Sequence, residues 1–106
     1  MFLFSKTPTI APKDAAQEML KDSAILVDVR TVGEFAGGHA KGATHIPHDE
    51  LEERLSELKG MGEVYLICQT GGRSAQATNM LIAKGMNAIN VSGGTRAWRS
   101  EGLSME

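Results

Sequence analysis

A chain of 106 residues, 42% hydrophobic and 23% charged, carries enough apolar material for one core and too little for two. Its formal net charge of −2 supplies no electrostatic pull toward nucleic acid or an anionic membrane surface. No apolar run reaches the length of a bilayer span, the apolar start Phe2-Leu3-Phe4 is too short for a secretion signal, and the one cysteine forms no internal disulfide. These features describe a single cytoplasmic domain over residues 1–106.

Residues 1–8 read as a loose end whose Phe2, Leu3 and Phe4 are available to a partner or to the body of the domain. Thr9-Ile10 suits a short edge strand. Pro12 then fits a first helical position, and Ala15, Ala16, Met19 and Leu20 form one face of a helix of two to three turns. Ala24 to Val27 is a buried strand running into Asp28-Val29-Arg30. Thr31 with Glu34 three residues later is a capping-box pattern, so a short helix bearing Val32, Phe35 and Ala36 follows and ends at Gly37-Gly38. A short strand fits around Thr44 to Ile46. Asp49 with Glu52 repeats the capping-box pattern, and Leu51, Leu55 and Leu58 share a helical face before Gly60 and Gly62. Glu63 to Ile67 is the next strand, Arg73 to Lys84 the next helix with Gly85 as its cap, and Ala88 to Val91 the last strand. Gly93-Gly94 leads into a final helix carrying Ala97 and Trp98, with Gly102 behind it.

This alternation predicts an α/β fold: a mainly parallel sheet of about five short strands with helices on both faces. In such sheets the functional crevice lies beyond the carboxyl ends of the strands. Asp28-Val29-Arg30, Cys68 to Arg73 and Ser92-Gly93-Gly94 all fall there.

The stretch Cys68-Gln69-Thr70-Gly71-Gly72-Arg73-Ser74 is the strongest chemical signal. Buried cysteines at strand ends commonly serve packing alone. A packing cysteine, however, needs neither two glycines after it nor an arginine nor a helix start. Glycines allow a tight turn whose N–H groups, with the helix N-terminus, form an anion-binding concavity. The same field lowers the pKa of a thiol inside it. Arg73 falls in a first helical turn, where a cation opposes the helix dipole, so an anion is expected beside it. Ser74 serves either the helix start or the sulfur.

Taken in chain order, the motifs resemble a single-domain rhodanese of the sulfurtransferase family. The resemblance rests on Asp28-Val29-Arg30 with Glu34-Phe35, on Gly38-His39-Ala40-Lys41-Gly42-Ala43-Thr44-His45-Ile46-Pro47, on Cys68 to Ser74, and on Gly93-Gly94-Thr95-Arg96-Ala97-Trp98 before Gly102-Leu103. Together these cover about residues 9–104. The resemblance implies a rhodanese-like fold and a sulfane-sulfur carrier. In that chemistry Cys68 takes the outer sulfur of thiosulfate or a persulfide donor and passes it to cyanide or another thiophilic acceptor. Gln69, Thr70, Gly71, Gly72, Arg73 and Ser74 would bind substrate, with Asp28 and Arg30 in support. No metal or organic cofactor is implied, because sulfur is itself the carried group.

Related cysteine phosphatases place five residues between cysteine and arginine, and here four intervene. The smaller ring favours one sulfur over a tetrahedral phosphate or arsenate. Gln69 and Thr70 stand where some family loops carry an extra basic residue, which suits a second class of function: a persulfide relay or interaction module served by another protein. Asp28 and Arg30 read either as a structural ion pair or as a direct substrate contact. His39, His45 and His48 lack the companion cysteines of a zinc pattern. Trp98 reads as a core anchor, and the acidic run Glu50 to Glu57 as a solvated helix face.

Overall fold

A computed structural model describes residues 7–106. The expected packing of Phe2, Leu3 and Phe4 lies outside the described residues. Thr7 and Pro8 are tied down: the Thr7 hydroxyl donates to Asn79 Oδ1 at 3.0 Å, and the Pro8 carbonyl accepts from Asn90 N–H at 2.8 Å.

The element order is β1 (Thr9–Ile10), α1 (Pro12–Glu18), β2 (Ala24–Asp28), α2 (Val32–Ala36), β3 (Thr44–His45), a 3-10 turn (Leu55–Glu57), β4 (Glu63–Ile67), α3 (Gly72–Ala83), β5 (Ala88–Val91) and α4 (Gly94–Ser100). The five strands form one sheet in the order β1-β5-β4-β2-β3, and every neighbouring pair is parallel. The α/β reading, with helices on both faces, therefore holds.

Side-chain alternation along the strands divides the core in two. Val64 and Leu66 of β4 join Val27, Leu51, Leu58, Ala77 and Leu81 on the α3 face. Tyr65 and Ile67 join Ala15, Leu26, Val91 and Trp98 on the face covered by α1 and α4. Leu66 and Ile67 are both fully buried, and each such side chain contributes roughly 1.5–3 kcal/mol of transfer free energy. Because α3 packs on one face and α4 on the other, the connections leaving β4 and β5 diverge. The crevice opened by that divergence lies at the carboxyl end of β4, the central strand, where Cys68 sits.

Several boundaries move by a residue, and one element differs in kind. The helix expected from Asp49 is a run of turns ending in the 3-10 segment Leu55–Glu57, capped by Arg54. Glu52, expected to close a capping box with Asp49, instead meets Lys84 Nζ at 3.0 Å. Arg54 folds its guanidinium back onto Glu57 and Glu50. Leu51 and Leu58 are still fully buried, so the apolar spacing was met by tight turns rather than by helix. Tertiary partners outweighed local propensity. Leu20 also departs from its expected apolar face: it lies beyond the end of α1 and is 80% exposed.

Candidate active site

Cys68 follows the last residue of β4 and is 1% exposed. Its sulfur accepts the Gly71 N–H at 3.0 Å, and the Ser74 hydroxyl lies 3.2 Å away. Gly71 has φ +113° and caps α3, a left-handed conformation that costs glycine little and other residues considerably more. That turn points successive N–H groups back at the sulfur. Burial alone would push the Cys68 thiol up; the Ser74 hydroxyl and the N–H groups of Ser74, Gly71 and Thr70 more than offset it, leaving the pKa below its ordinary value.

The carbonyl side of the loop is held by α4. Thr95 donates its N–H (2.8 Å) and hydroxyl (3.0 Å) to the Cys68 carbonyl, and Arg96 N–H reaches the Gln69 carbonyl at 3.1 Å. With those carbonyls fixed outward, the N–H groups beyond them face the opposite way, toward the sulfur. This clamp demands a close approach of backbones. A Cβ on Gly94, which has φ +61°, would fall 2.5 Å from the Cys68 carbonyl oxygen and 2.6 Å from backbone atoms of Gln69. The Gly93-Gly94 pair thus belongs to the architecture of the cysteine loop.

Asp28 and Arg30 form a buried ion pair, 0% and 3% exposed. Arg30 Nε donates to both Asp28 oxygens at 3.0 Å and Nη2 to Oδ2 at 2.8 Å. The same guanidinium reaches the Gly38 carbonyl at 2.8 Å and Gln69 Oε1 at 3.0 Å. It therefore ties the end of β2 to the end of α2 and to the first side chain of the loop. His45 Nε2 lies 2.8 Å from the Arg30 carbonyl, His39 Nδ1 lies 2.9 Å from the Phe35 carbonyl, and both imidazoles stack on the Phe35 ring. Among the described residues, no three of the His, Cys, Asp and Glu side chains gather in a metal-binding cluster.

The anion expected beside Arg73 is a carboxylate of the chain itself. Arg73 makes two parallel bonds to Glu34, at 2.8 and 2.9 Å. Glu34 Oε1 also accepts the N–H and hydroxyl of Thr31, completing the capping box foreseen at α2. The Arg73 bonds, aided by those from Thr31, hold the Glu34 carboxyl at about 2. Gly72 opens α3 and leaves its surroundings free, while Thr70 is exposed at the loop's outer edge.

Sequence reasoning overlooked Asn90, which read as one residue of an apolar strand. Its Oδ1 lies 2.5 Å from Ser74 Oγ, so the single Ser74 proton has two acceptors, Asn90 and Cys68. A polar side chain inside a buried strand was the available signal. Glu34 was recognised as a capping residue and a family match, but its second partner is 39 positions away.

Comparison with known proteins places this geometry. The rhodanese-like domain profile matches residues 11–101. The chain belongs to the rhodanese-like domain family. It is 32% identical to thiosulfate sulfurtransferase 16, chloroplastic, of Arabidopsis thaliana, over 93% of each chain. A sulfurtransferase of Allochromatium vinosum is 35% identical over 77% of this chain and 78% of its own. Among solved structures, a rhodanese-like domain protein from Staphylococcus aureus superposes with a TM-score of 0.82 at 34% identity, covering 92% of this chain and 97% of that one. By contrast, the chain spans only 52% and 60% of two Bacillus subtilis relatives and 54% of one from Synechocystis. Its membership of a sulfurtransferase family is thereby established, and no helix among the described residues is long and apolar enough to cross a membrane.

Proposed function

We propose that this rhodanese-like domain transfers sulfane sulfur through a persulfide on Cys68. The observation that carries the reading is the sulfur of the only cysteine seated under convergent donors from Gly71 and Ser74 at the end of the central strand. Those donors favour the thiolate in the resting protein and an anionic persulfide after transfer. The Cys68 thiolate attacks the outer sulfur of the donor, forming the new S–S bond as the donor's own bond to that sulfur breaks. With thiosulfate, the bonding pair leaves on sulfite. Cyanide or another thiophile then takes the outer sulfur as thiocyanate or its counterpart and restores the Cys68 thiolate. An S–S bond of about 2.05 Å carries the transferable atom outward from the buried Cys68 sulfur.

The loop backbone and Ser74 act directly on sulfur, whereas Arg30 and Asp28 hold Gln69 and the strand end in place. A protein persulfide is a natural alternative donor or acceptor, because Gln69 and Thr70 bring no extra basic side chain to the loop for a small dianion. A single unpaired cysteine as carrier suits a reducing compartment such as the cytoplasm. The test is single-turnover sulfite release on mixing with thiosulfate. Wild type should release sulfite in proportion to protein and Cys68→Ser should release none; sulfite from Cys68→Ser at the wild-type rate would refute the reading. Rapid hydrolysis of an aryl phosphate would favour phosphatase chemistry instead.

A further inference from the structure

Two guanidinium groups are tied into the surroundings of the Cys68 loop, and both are occupied by carboxylates of the chain. Arg30 is neutralised by Asp28 in the buried pair. Arg73 is matched by Glu34 through both arms of its fork, with each side chain 34% exposed. The Glu34 carboxylate is fixed from its other side by Thr31 N–H and hydroxyl, each at 3.1 Å. It is thus held in place from two sides, by Arg73 and by Thr31. An anionic donor entering the loop meets inward N–H groups, while the guanidinium groups of Arg30 and Arg73 are already matched by carboxylates of the chain.

We propose that Glu34 is a specificity-determining residue, setting the Cys68 site against dianionic sulfur donors and in favour of donors of lower charge such as persulfides and thiosulfonates. This rests on the sulfur-transfer reading of Cys68 and adds to it the charge class of the donor. The mechanism is electrostatic. By cancelling Arg73, Glu34 removes the attraction that would otherwise grow with each charge on the donor.

Thiosulfate and methanethiosulfonate form a suitable pair of probes, because they share a transferable terminal sulfur and differ by one negative charge. Transfer from the second is balanced in the same way: the Cys68 thiolate takes the terminal sulfur and methanesulfinate departs with the bonding pair. Glu34→Gln keeps an oxygen for the capping box while leaving the Arg73 charge uncompensated. The ratio of kcat/KM for thiosulfate to that for methanethiosulfonate should rise about tenfold in Glu34→Gln, through KM, and the gain should shrink as salt is added. Arg73→Gln, which leaves Glu34 unmatched, should lower the same ratio by about as much. The double substitution should lie between the two. A ratio within about twofold of wild type in whichever of these variants folds would overturn the role of Glu34 while Cys68 still gains sulfur. Failure of wild-type Cys68 to gain sulfur from either probe would instead overturn the underlying sulfur-transfer reading.

Discussion

Replacing Gly94 by alanine should damage the cysteine loop from a helix away, and the structure gives the size of the effect. Gly94 has φ +61°, and its added Cβ would sit 2.5 Å from the Cys68 carbonyl oxygen and 2.6 Å from the Gln69 carbonyl carbon and oxygen. The left-handed conformation costs an alanine roughly 1–2 kcal/mol. The overlap is with backbone, which cannot rotate aside as a side chain can, and relieving such crowding typically costs about 1–3 kcal/mol more. A loss of about 2–5 kcal/mol follows, a large part of the ~5–15 kcal/mol that holds a typical domain together. Relief requires α4 to move off the loop, lengthening the Thr95 and Arg96 bonds that hold the Cys68 and Gln69 carbonyls outward. The N–H cradle should loosen with them, and the Cys68 pKa should rise. Urea denaturation measures the first effect and the pH dependence of Cys68 alkylation the second. Gly102→Ala is the control: φ there is +75° but nothing lies within 4 Å of the added Cβ, so only the conformational cost of about 1–2 kcal/mol applies. If Gly94→Ala lost no more stability than Gly102→Ala, with an unmoved alkylation profile, the clamp would be refuted.

Ser74→Ala should raise the Cys68 pKa and shift alkylation to higher pH; an unshifted profile would mean the hydroxyl serves Asn90 alone. Because the folded-state pKa of Cys68 is depressed, its ionisation adds stability that is fully present above the unfolded-state value and is lost as pH falls through the folded one. Ser74→Ala should reduce that gain, as thermal unfolding across the alkaline range can show. Asp28→Asn leaves the Arg30 charge buried without its partner and should cost about 3–5 kcal/mol in urea denaturation; a loss below about 1 kcal/mol would contradict the central role given to the pair. Glu34, held at about 2 against an ordinary 4.5, contributes stability above the higher value that disappears as pH falls toward the lower. Its exposure limits that contribution to about 1 kcal/mol or less. Comparing the acid-side stability of wild type and Glu34→Gln between those pH values isolates it, and identical profiles would contradict the assignment.

The fold was legible because its three inner strands, β2, β4 and β5, are largely buried and so appear as short apolar runs between helical patterns. Thr31 and Glu34 named their own cap correctly, since both partners lie within one turn. The segment after Asp49 was not legible: Glu52 pairs with Lys84 just past α3 instead of closing a cap with Asp49, and no local pattern encodes a partner 32 positions away. The placement of Cys68 at a strand-to-helix turn could be read from its glycines. Arg30, just beyond β2, was also expected in support of the loop, but its bond to Gln69 was not legible, nor were the contacts of Asn90 from β5 and Thr95 from α4. Arg73 was expected to have an anion beside it, and only the three-dimensional fold identifies that anion as Glu34.

The central claim is that Cys68 carries the sulfur, and intact-protein mass spectrometry tests it most directly. After incubation with thiosulfate or methanethiosulfonate and removal of excess donor, wild type should gain one sulfur atom, mapped to Cys68 and released by cyanide as thiocyanate. Absence of that gain with both donors, or an equal cyanide-reversible gain on Cys68→Ser, would contradict the account.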